Sequence, residues 1–265
     1  MFRFTRRHIC AAVALLGACA TTLPAHAVTL AEIQGRGAVR IGVLTGAPPN
    51  GMIDENGNPS GYDVDVAAVV GKYLGLPVKL VPLTPPARIP ALQTGQVDFL
   101  IATLAPTGER AKTVMFTTPY SAFDLVVVTT PDKTFAKTDD LKGKRVAVNR
   151  GSSQEAALRR AAVPGLDIVV YEDDSTSTQA VLAGQVDAAI IPSTVAQGAI
   201  KQMPGAMKID FSFFRQGNSM ATLLDDFELH QYLNTAIYVM KVSGELDRIS
   251  VKWTGEPLPP QLPTF

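Results

Sequence analysis

The apolar positions of this chain alternate between two periods. Val39-Arg40-Ile41-Gly42-Val43-Leu44 is rich in β-branched residues with a period of two, which predicts a strand. Thr45 to Gly51 is an irregular loop and Asp54 to Asn58 a turn. Val64, Ala67, Ala68, Gly71 and Leu74 then share one face of a helix that starts near Ser60-Gly61, carries Asp63 and Asp65 in its first turn and stops at Gly75. A strand at Val78 to Val81, a helix from Arg88-Ile89-Pro90 and a strand ending at Ala102 complete a β-α-β-α-β series, which favours a parallel sheet with right-handed crossovers. A second series follows the same order: strand Arg145 to Val148, helix Ser153 to Arg160, strand Ile168 to Tyr171, helix Thr178 to Ala183, strand Ala188 to Ile191.

The two series share a segment. Ala91-Leu92-Gln93-Thr94-Gly95-Gln96-Val97-Asp98 returns 89 residues later as Ala180-Val181-Leu182-Ala183-Gly184-Gln185-Val186-Asp187. In both, an apolar helical stretch ends at a glycine suited to a left-handed cap and leads into a short buried strand. Two similar α/β halves imply a cleft between them. Asp124 to Thr129 is an extended run that can carry the chain to the second half, and Asn218 to Thr222 can carry it back. Leu229, Leu233, Ile237 and Met240 keep helical spacing in the tail, and Gly244 to Trp253 forms a further helical piece.

The first 27 residues break the pattern. Arg3, Arg6 and Arg7 precede the apolar stretch Ile9 to Ala20, and Pro24-Ala25-His26-Ala27 ends in an Ala-x-Ala site, so residues 1–27 read as a secretory signal peptide. Leu15-Leu16-Gly17-Ala18-Cys19 also fits a lipobox, which leaves a lipid anchor on Cys19 as the competing route. The apolar stretch is shorter than the ~20 residues a membrane span needs. Both cysteines, Cys10 and Cys19, lie in this leader, so a chain beginning at Val28 has no disulfide or thiolate. Hydrophobic residues make up 46% and charged ones 18%, as in a folded globular protein. Charges balance at 24 each, and without the leader arginines 21 basic residues face 24 acidic ones; nothing points to nucleic acid.

The mature chain resembles the polar amino acid solute-binding proteins of bacterial ABC importers, whose relatives include histidine- and glutamine-binding proteins. The resemblance rests on Gly61-Tyr62-Asp63-Val64-Asp65-Val66, Ile89-Pro90-Ala91-Leu92 through Val97-Asp98, Glu109-Arg110-Ala111-Lys112 with Pro119-Tyr120, Leu141-Lys142-Gly143-Lys144, Gly151-Ser152-Ser153 and Ser243-Gly244-Glu245-Leu246-Asp247. It implies a two-lobed α/β fold, each lobe a mostly parallel sheet flanked by helices, joined by a two-strand hinge. One lobe would comprise residues 28–127 and 222–265, the other residues 128–221. It further implies a monomeric periplasmic receptor that needs no cofactor, closes on a small carboxylate or amino acid and delivers it to a membrane permease.

By that resemblance Arg110 clamps the ligand's α-carboxylate, a task suited to a planar guanidinium that makes two charge-assisted hydrogen bonds. Taken alone, Arg110 reads first as a solvated cation in a short helix beside Glu109 and Lys112. Gly151-Ser152-Ser153 opens a helix after a strand, so its N–H groups and the helix dipole would face the same carboxylate; Ser152 with Glu155 is also a plain capping box. Thr103 sits where the family offers backbone and hydroxyl groups, or else it hydrogen-bonds its own turn. Three departures stand out. Ala105 replaces a hydroxyl residue. Pro192 stands five residues after Asp187, where relatives place the Asp that pairs with the ligand ammonium, leaving Ser193 and Thr194 to offer hydroxyls. Aromatic walls are missing near Ala47 or Asn50 and near Pro85. Arg88 adds a cation near the cleft mouth but reads first as an exposed helix-start residue, His230 as a surface histidine, and Asp173-Asp174 as a solvated approach to a helix. No metal cluster, nucleotide loop or nucleophile elbow is present. The expected function is an amino acid receptor; a receptor for a carboxylate without an α-amino group, or a cyclohexadienyl or arogenate dehydratase on the same fold, are the alternatives, the last needing Asp173 or Glu172 to point into the cleft as its acid.

Overall fold

The computed structural model describes residues 29–263; the leader, with both readings of its processing, lies outside the described residues. In chain order the elements are α1 (Leu30–Arg36), β1 (Val39–Leu44), β2 (Met52–Ile53), β3 (Pro59–Ser60), α2 (Tyr62–Leu74), β4 (Val78–Leu83), α3 (Arg88–Gln93), β5 (Phe99–Leu104) and β6 (Val114–Thr129). They continue with β7 (Arg145–Asn149), α4 (Ser153–Ala161), β8 (Asp167–Tyr171), α5 (Asp174–Leu182), β9 (Ala188–Pro192), α6 (Ser193–Gln202), β10 (Lys208–Leu223), α7 (Phe227–Val242) and α8 (Glu245–Thr254).

Eight strands form one sheet in the order β4-β1-β5-β10-β6-β9-β7-β8. At one end β1 pairs in parallel with β4 and β5; at the other β7 pairs in parallel with β8 and β9. The two ends therefore repeat the same local strand order, as expected from the doubled series. Between them the 16-residue strands β6 and β10 run antiparallel, β10 meeting β5 through Ser219 and Ala221 and β6 meeting β9 through Leu125 to Val128. The extended runs read at Asp124 and Asn218 are thus parts of much longer crossing strands, whose pairing shifts register at Asn218–Ser219 and Ser219–Ala221.

The repeated segment does the same structural work twice. Gly95 and Gly184 follow their helices at φ 68° and 67°, a region where a Cβ is penalised. The aspartate that follows then grips the start of the neighbouring parallel strand. Asp98 accepts the Arg40 N–H at 2.8 Å and Asp187 accepts the Arg145 N–H at 2.9 Å. Asp98 is fully buried and also holds the Arg40 and Arg36 guanidiniums, while Asp187 meets Lys133 at 2.8 Å.

Each face of each lobe has its own apolar cluster. Ile41, Val43, Val66, Val70, Phe99 and Ile101 pack against Leu229, Leu233, Ile237 and Met240 of α7, the stripe expected from helical spacing. Val128, Ala147, Ala189 and Ile191 pack under α5 and α6, and Val146, Val148, Leu158 and Ile190 under α4. Trp253 is partly buried against the first cluster, its Nε1–H donating to Asp65 at 2.6 Å and so tying α8 to α2.

One helix starts earlier than its apolar spacing suggests. The expected start at Thr178 is in fact Asp174, because the Asp173 side chain accepts the Thr176 N–H at 2.8 Å and caps the extra turn. α1, α6 and the short β2–β3 hairpin are additional to the elements read from periodicity. No helix among the described residues is long and apolar enough to cross a membrane.

Candidate functional site

The parallel strands of both lobes point their carboxyl ends at one cavity, the place where an α/β sheet leaves room for a ligand. It spans about 330 Å³ of empty space, part of it open to solvent, walled by Leu44 closing β1, Thr103 near the end of β5 with Ala105 just beyond it, Asn149 closing β7 and Pro192 closing β9. Pro85, Arg88, Arg110, Ser152, Ser153, Gln154 and Asp174 bring its polar groups, with Gln216, Phe123 and Leu125 from the crossing strands.

Arg110 occupies a short helical turn, Arg110–Lys112, whose Ala111 N–H bonds Thr107 O at 2.9 Å. Its Nη1 donates to Ala105 O at 2.7 Å in its own lobe, and its Nη2 donates to Gly151 O at 2.8 Å in the other. The guanidinium therefore stands where the lobes meet. Burial brings its pKa down to about 10, so the charge is kept at neutral pH.

Arg88 is the first correction. It is buried, not an exposed helix-start residue, because three separate carbonyls receive it: Pro85 O at 2.9 Å, Ala102 O at 3.0 Å and Thr103 O at 3.3 Å. Burial, and after it the neighbouring charge of Arg110, lower its pKa to about 9, leaving a second cation in the wall. Thr103 sits above it with φ 45°, in the left-handed region that a β-branched residue seldom enters. Its N–H is held by the Tyr120 hydroxyl at 3.1 Å, which in turn donates to Asp63 Oδ1 at 2.7 Å. Its own hydroxyl makes no hydrogen bond among the described residues, so the alternative in which it serves its own turn has no counterpart here.

Ser152 caps α4 by accepting the Glu155 N–H at 3.1 Å, and Glu155 returns to the Gly151 N–H at 2.7 Å. That leaves the Ser153 and Gln154 N–H groups, at the open start of the helix, as the donors not consumed by capping. Ser153 also hydrogen-bonds the Gln216 side chain on β10.

Asp174 is the second correction. Of the two adjacent acids, Asp173 caps α5, whereas Asp174 is 4% exposed and faces the cavity. Asn149 Nδ2 donates to it at 2.6 Å, and burial pushes its pKa up to about 7, opposed by Asn149 and Arg88. Glu172 points elsewhere, to an ion pair with Arg150.

Seven residues singled out from sequence therefore share this wall: Pro85, Thr103, Ala105, Arg110, Ser152, Ser153 and Pro192. Gly151 borders it through its carbonyl. Ala47 and Ser193 lie outside it, Ala47 turned into the apolar cluster under α5 and Ser193 opening α6. The cavity wall also contains Asp174, Asn149, Gln216 and Phe123, to which the sequence did not point, and Arg88, for which the cleft mouth is the secondary reading. Phe123 supplies an aromatic face where the loops offer none; its place follows only from the length of β6. His230 is half-buried, its Nε2 2.9 Å from Phe116 O.

A family model described as bacterial extracellular solute-binding proteins, family 3, matches residues 39–256, most of the chain and every element that builds the cavity. The chain belongs to that family. As a member, it is 30% identical to the L-cystine-binding protein TcyJ of Escherichia coli (strain K12) over 247 residues, 92% of each chain. An ancestral arginine-binding protein bound to arginine superimposes with a TM-score of 0.78 at 35% identity, covering 82% of this chain and 98% of that one. The ancestral amino acid-binding protein AncCDT-1, a precursor of cyclohexadienyl dehydratase, does so with a TM-score of 0.79 at 31% identity, covering 85% and 99%. The solute-binding protein fold, with its α/β lobes, is thus the fold of this chain.

Proposed function

We propose that the protein is the periplasmic receptor of an ABC importer, binding an amino acid by its α-carboxylate between the lobes and presenting the closed form to a membrane permease. The observation that carries this reading is Arg110, a permanently charged guanidinium at the meeting point of the two lobes, facing the two uncapped N–H donors at the start of α4. A carboxylate placed there takes hydrogen bonds from both lobes at once, so it stabilises the closed arrangement by differential affinity. The amino acid-binding relatives support the same ligand class, and the leader supports export.

Isothermal titration of the purified mature chain with the proteinogenic L-amino acids and L-cystine tests this. At least one should bind, and Arg110→Ala should weaken it by about 30-fold or more, the loss of a buried charge-assisted pair. Unchanged affinity in the variant would overturn the assignment. A second reading rests on Asp174. A carboxyl that keeps its proton to about pH 7 inside the cavity is the kind of acid a dehydratase uses to expel a leaving group. Incubation with prephenate and arogenate separates the two: turnover lost in Asp174→Asn establishes the enzyme, and recovery of both compounds unchanged leaves the receptor.

A further inference from the structure

We propose that Asp174 is the counter-charge for the ligand's ammonium group, taking over in this chain the task for which the end of β9 offers only Pro192. The inference rests on the receptor reading above. Pro192 is buried in the cavity wall and has neither a charge nor an N–H. An ammonium enclosed there without an anion would be strongly disfavoured.

Asp174 is placed to remove that cost. It is the first residue of α5 and lines the same cavity as Arg110, so each lobe brings one charged group to a zwitterion held there. Its Oδ1 accepts the Asn149 amide, and Asn149 cannot turn away because its own Oδ1 accepts the Ser177 hydroxyl at 2.9 Å. Among the described residues the other oxygen accepts no hydrogen bond and meets no cation at ion-pair distance, and unlike Asp63 Oδ2 it is not sealed off from the cavity. It is therefore open to a donor from the cavity, and the donor that enters this cavity is the ligand. Arg88, the cation nearest in the wall, is held by three carbonyls and acts on Asp174 only at longer range.

A protonic consequence follows. The charged groups facing Asp174 are Arg88 of α3 and the adjacent Asp173, and against them burial keeps the carboxyl protonated to about pH 7. An arriving ammonium favours the ionised form, so binding an amino acid near neutral pH expels a proton. A ligand that meets Asp174 with a second carboxylate would instead hold that proton in place or take one up.

Titration calorimetry at pH 6.5 in buffers of differing ionisation enthalpy reads this without any mutation. The probes are L-arginine, L-glutamine and L-cystine, with 5-guanidinopentanoic acid and 4-carbamoylbutanoic acid as the deaminated partners of the first two. The wild type should release a proton on binding its amino acid and bind the deaminated partner about 100-fold more weakly. Asp174→Asn, which keeps the shape and the Asn149 contact surface, should narrow that gap to a few-fold and abolish the proton release, although Asp63 remains. Deaminated acids bound as tightly as amino acids, or proton release unchanged in Asp174→Asn, would overturn this inference while leaving the receptor reading intact. Binding of no probe, with no response to Arg110→Ala, would overturn both.

Discussion

At the residue scale the interior of the first lobe carries an acid whose behaviour can be tested apart from any ligand. Asp63 is fully buried, accepts the Tyr120 hydroxyl, and leaves Oδ2 without a partner; burial pushes its pKa from 3.8 to about 8. In the unfolded chain it ionises near 3.8, so between that value and about 8 the folded state holds the extra proton and stability falls as pH rises. The slope approaches about 1.4 kcal/mol per pH unit for one such group. Asp63→Asn keeps the acceptor that positions Tyr120 and Thr103 but has no proton to lose. Urea titrations at pH 5 and pH 8 should therefore show a smaller loss of stability in the variant than in the wild type. An equal loss would mean that Asp63 is ionised in the folded protein. The same scale explains what sequence reading could reach. Arg110 and Ser152 were legible because their residue types sit in recognisable motifs. Asp174 was not, since two adjacent acids give no sign of which one caps the helix and which turns inward. Nor was Arg88, whose burial needs carbonyls from two segments that meet only in the fold.

At the scale of elements the repeated segment is a clamp on the neighbouring strand, and its two copies differ in depth. Asp98, wholly buried under Arg36 and Arg40, leaves a main-chain N–H unpaired and two guanidiniums without their counter-charge when removed; Asp187, with its side chain 27% exposed, leaves groups that water reaches more freely. Asp98→Ala should cost about 3 kcal/mol or more, and Asp187→Ala about 1 kcal/mol, in equilibrium denaturation. Equal costs would show that the clamp's strength does not depend on burial. Strand and helix order were legible here because both halves keep clean apolar periods. The reach of β6 and β10 was not: each passes through polar stretches such as Arg215-Gln216-Gly217-Asn218, where side chains serve the cavity and the crossing instead of a core.

Across the whole molecule, ligand affinity includes the free energy of bringing the lobes together, so groups that never touch the ligand contribute to it. The loop after β1 makes the clearest such contacts. Gly46 O accepts the Ser175 N–H at 3.1 Å, and Asn50 Nδ2 donates to Thr194 Oγ1 at 2.8 Å, joining the first lobe to the starts of α5 and α6. The loop can fold back this closely because Gly51 has no side chain: a Cβ there would lie 2.1 Å from Leu44 O. Asn50 lies outside the cavity wall, yet it is 4% exposed and bonded across the cleft. Asn50→Ala removes one neutral hydrogen bond that exists only when the lobes are closed. It should weaken ligand binding about 2- to 10-fold, the equivalent of about 0.5–1.5 kcal/mol. Small-angle scattering without ligand should then show a larger mean radius of gyration, and both effects should vanish together if the lobes are cross-linked shut. A variant with unchanged affinity and unchanged radius would show that the Asn50–Thr194 hydrogen bond does not contribute to closure.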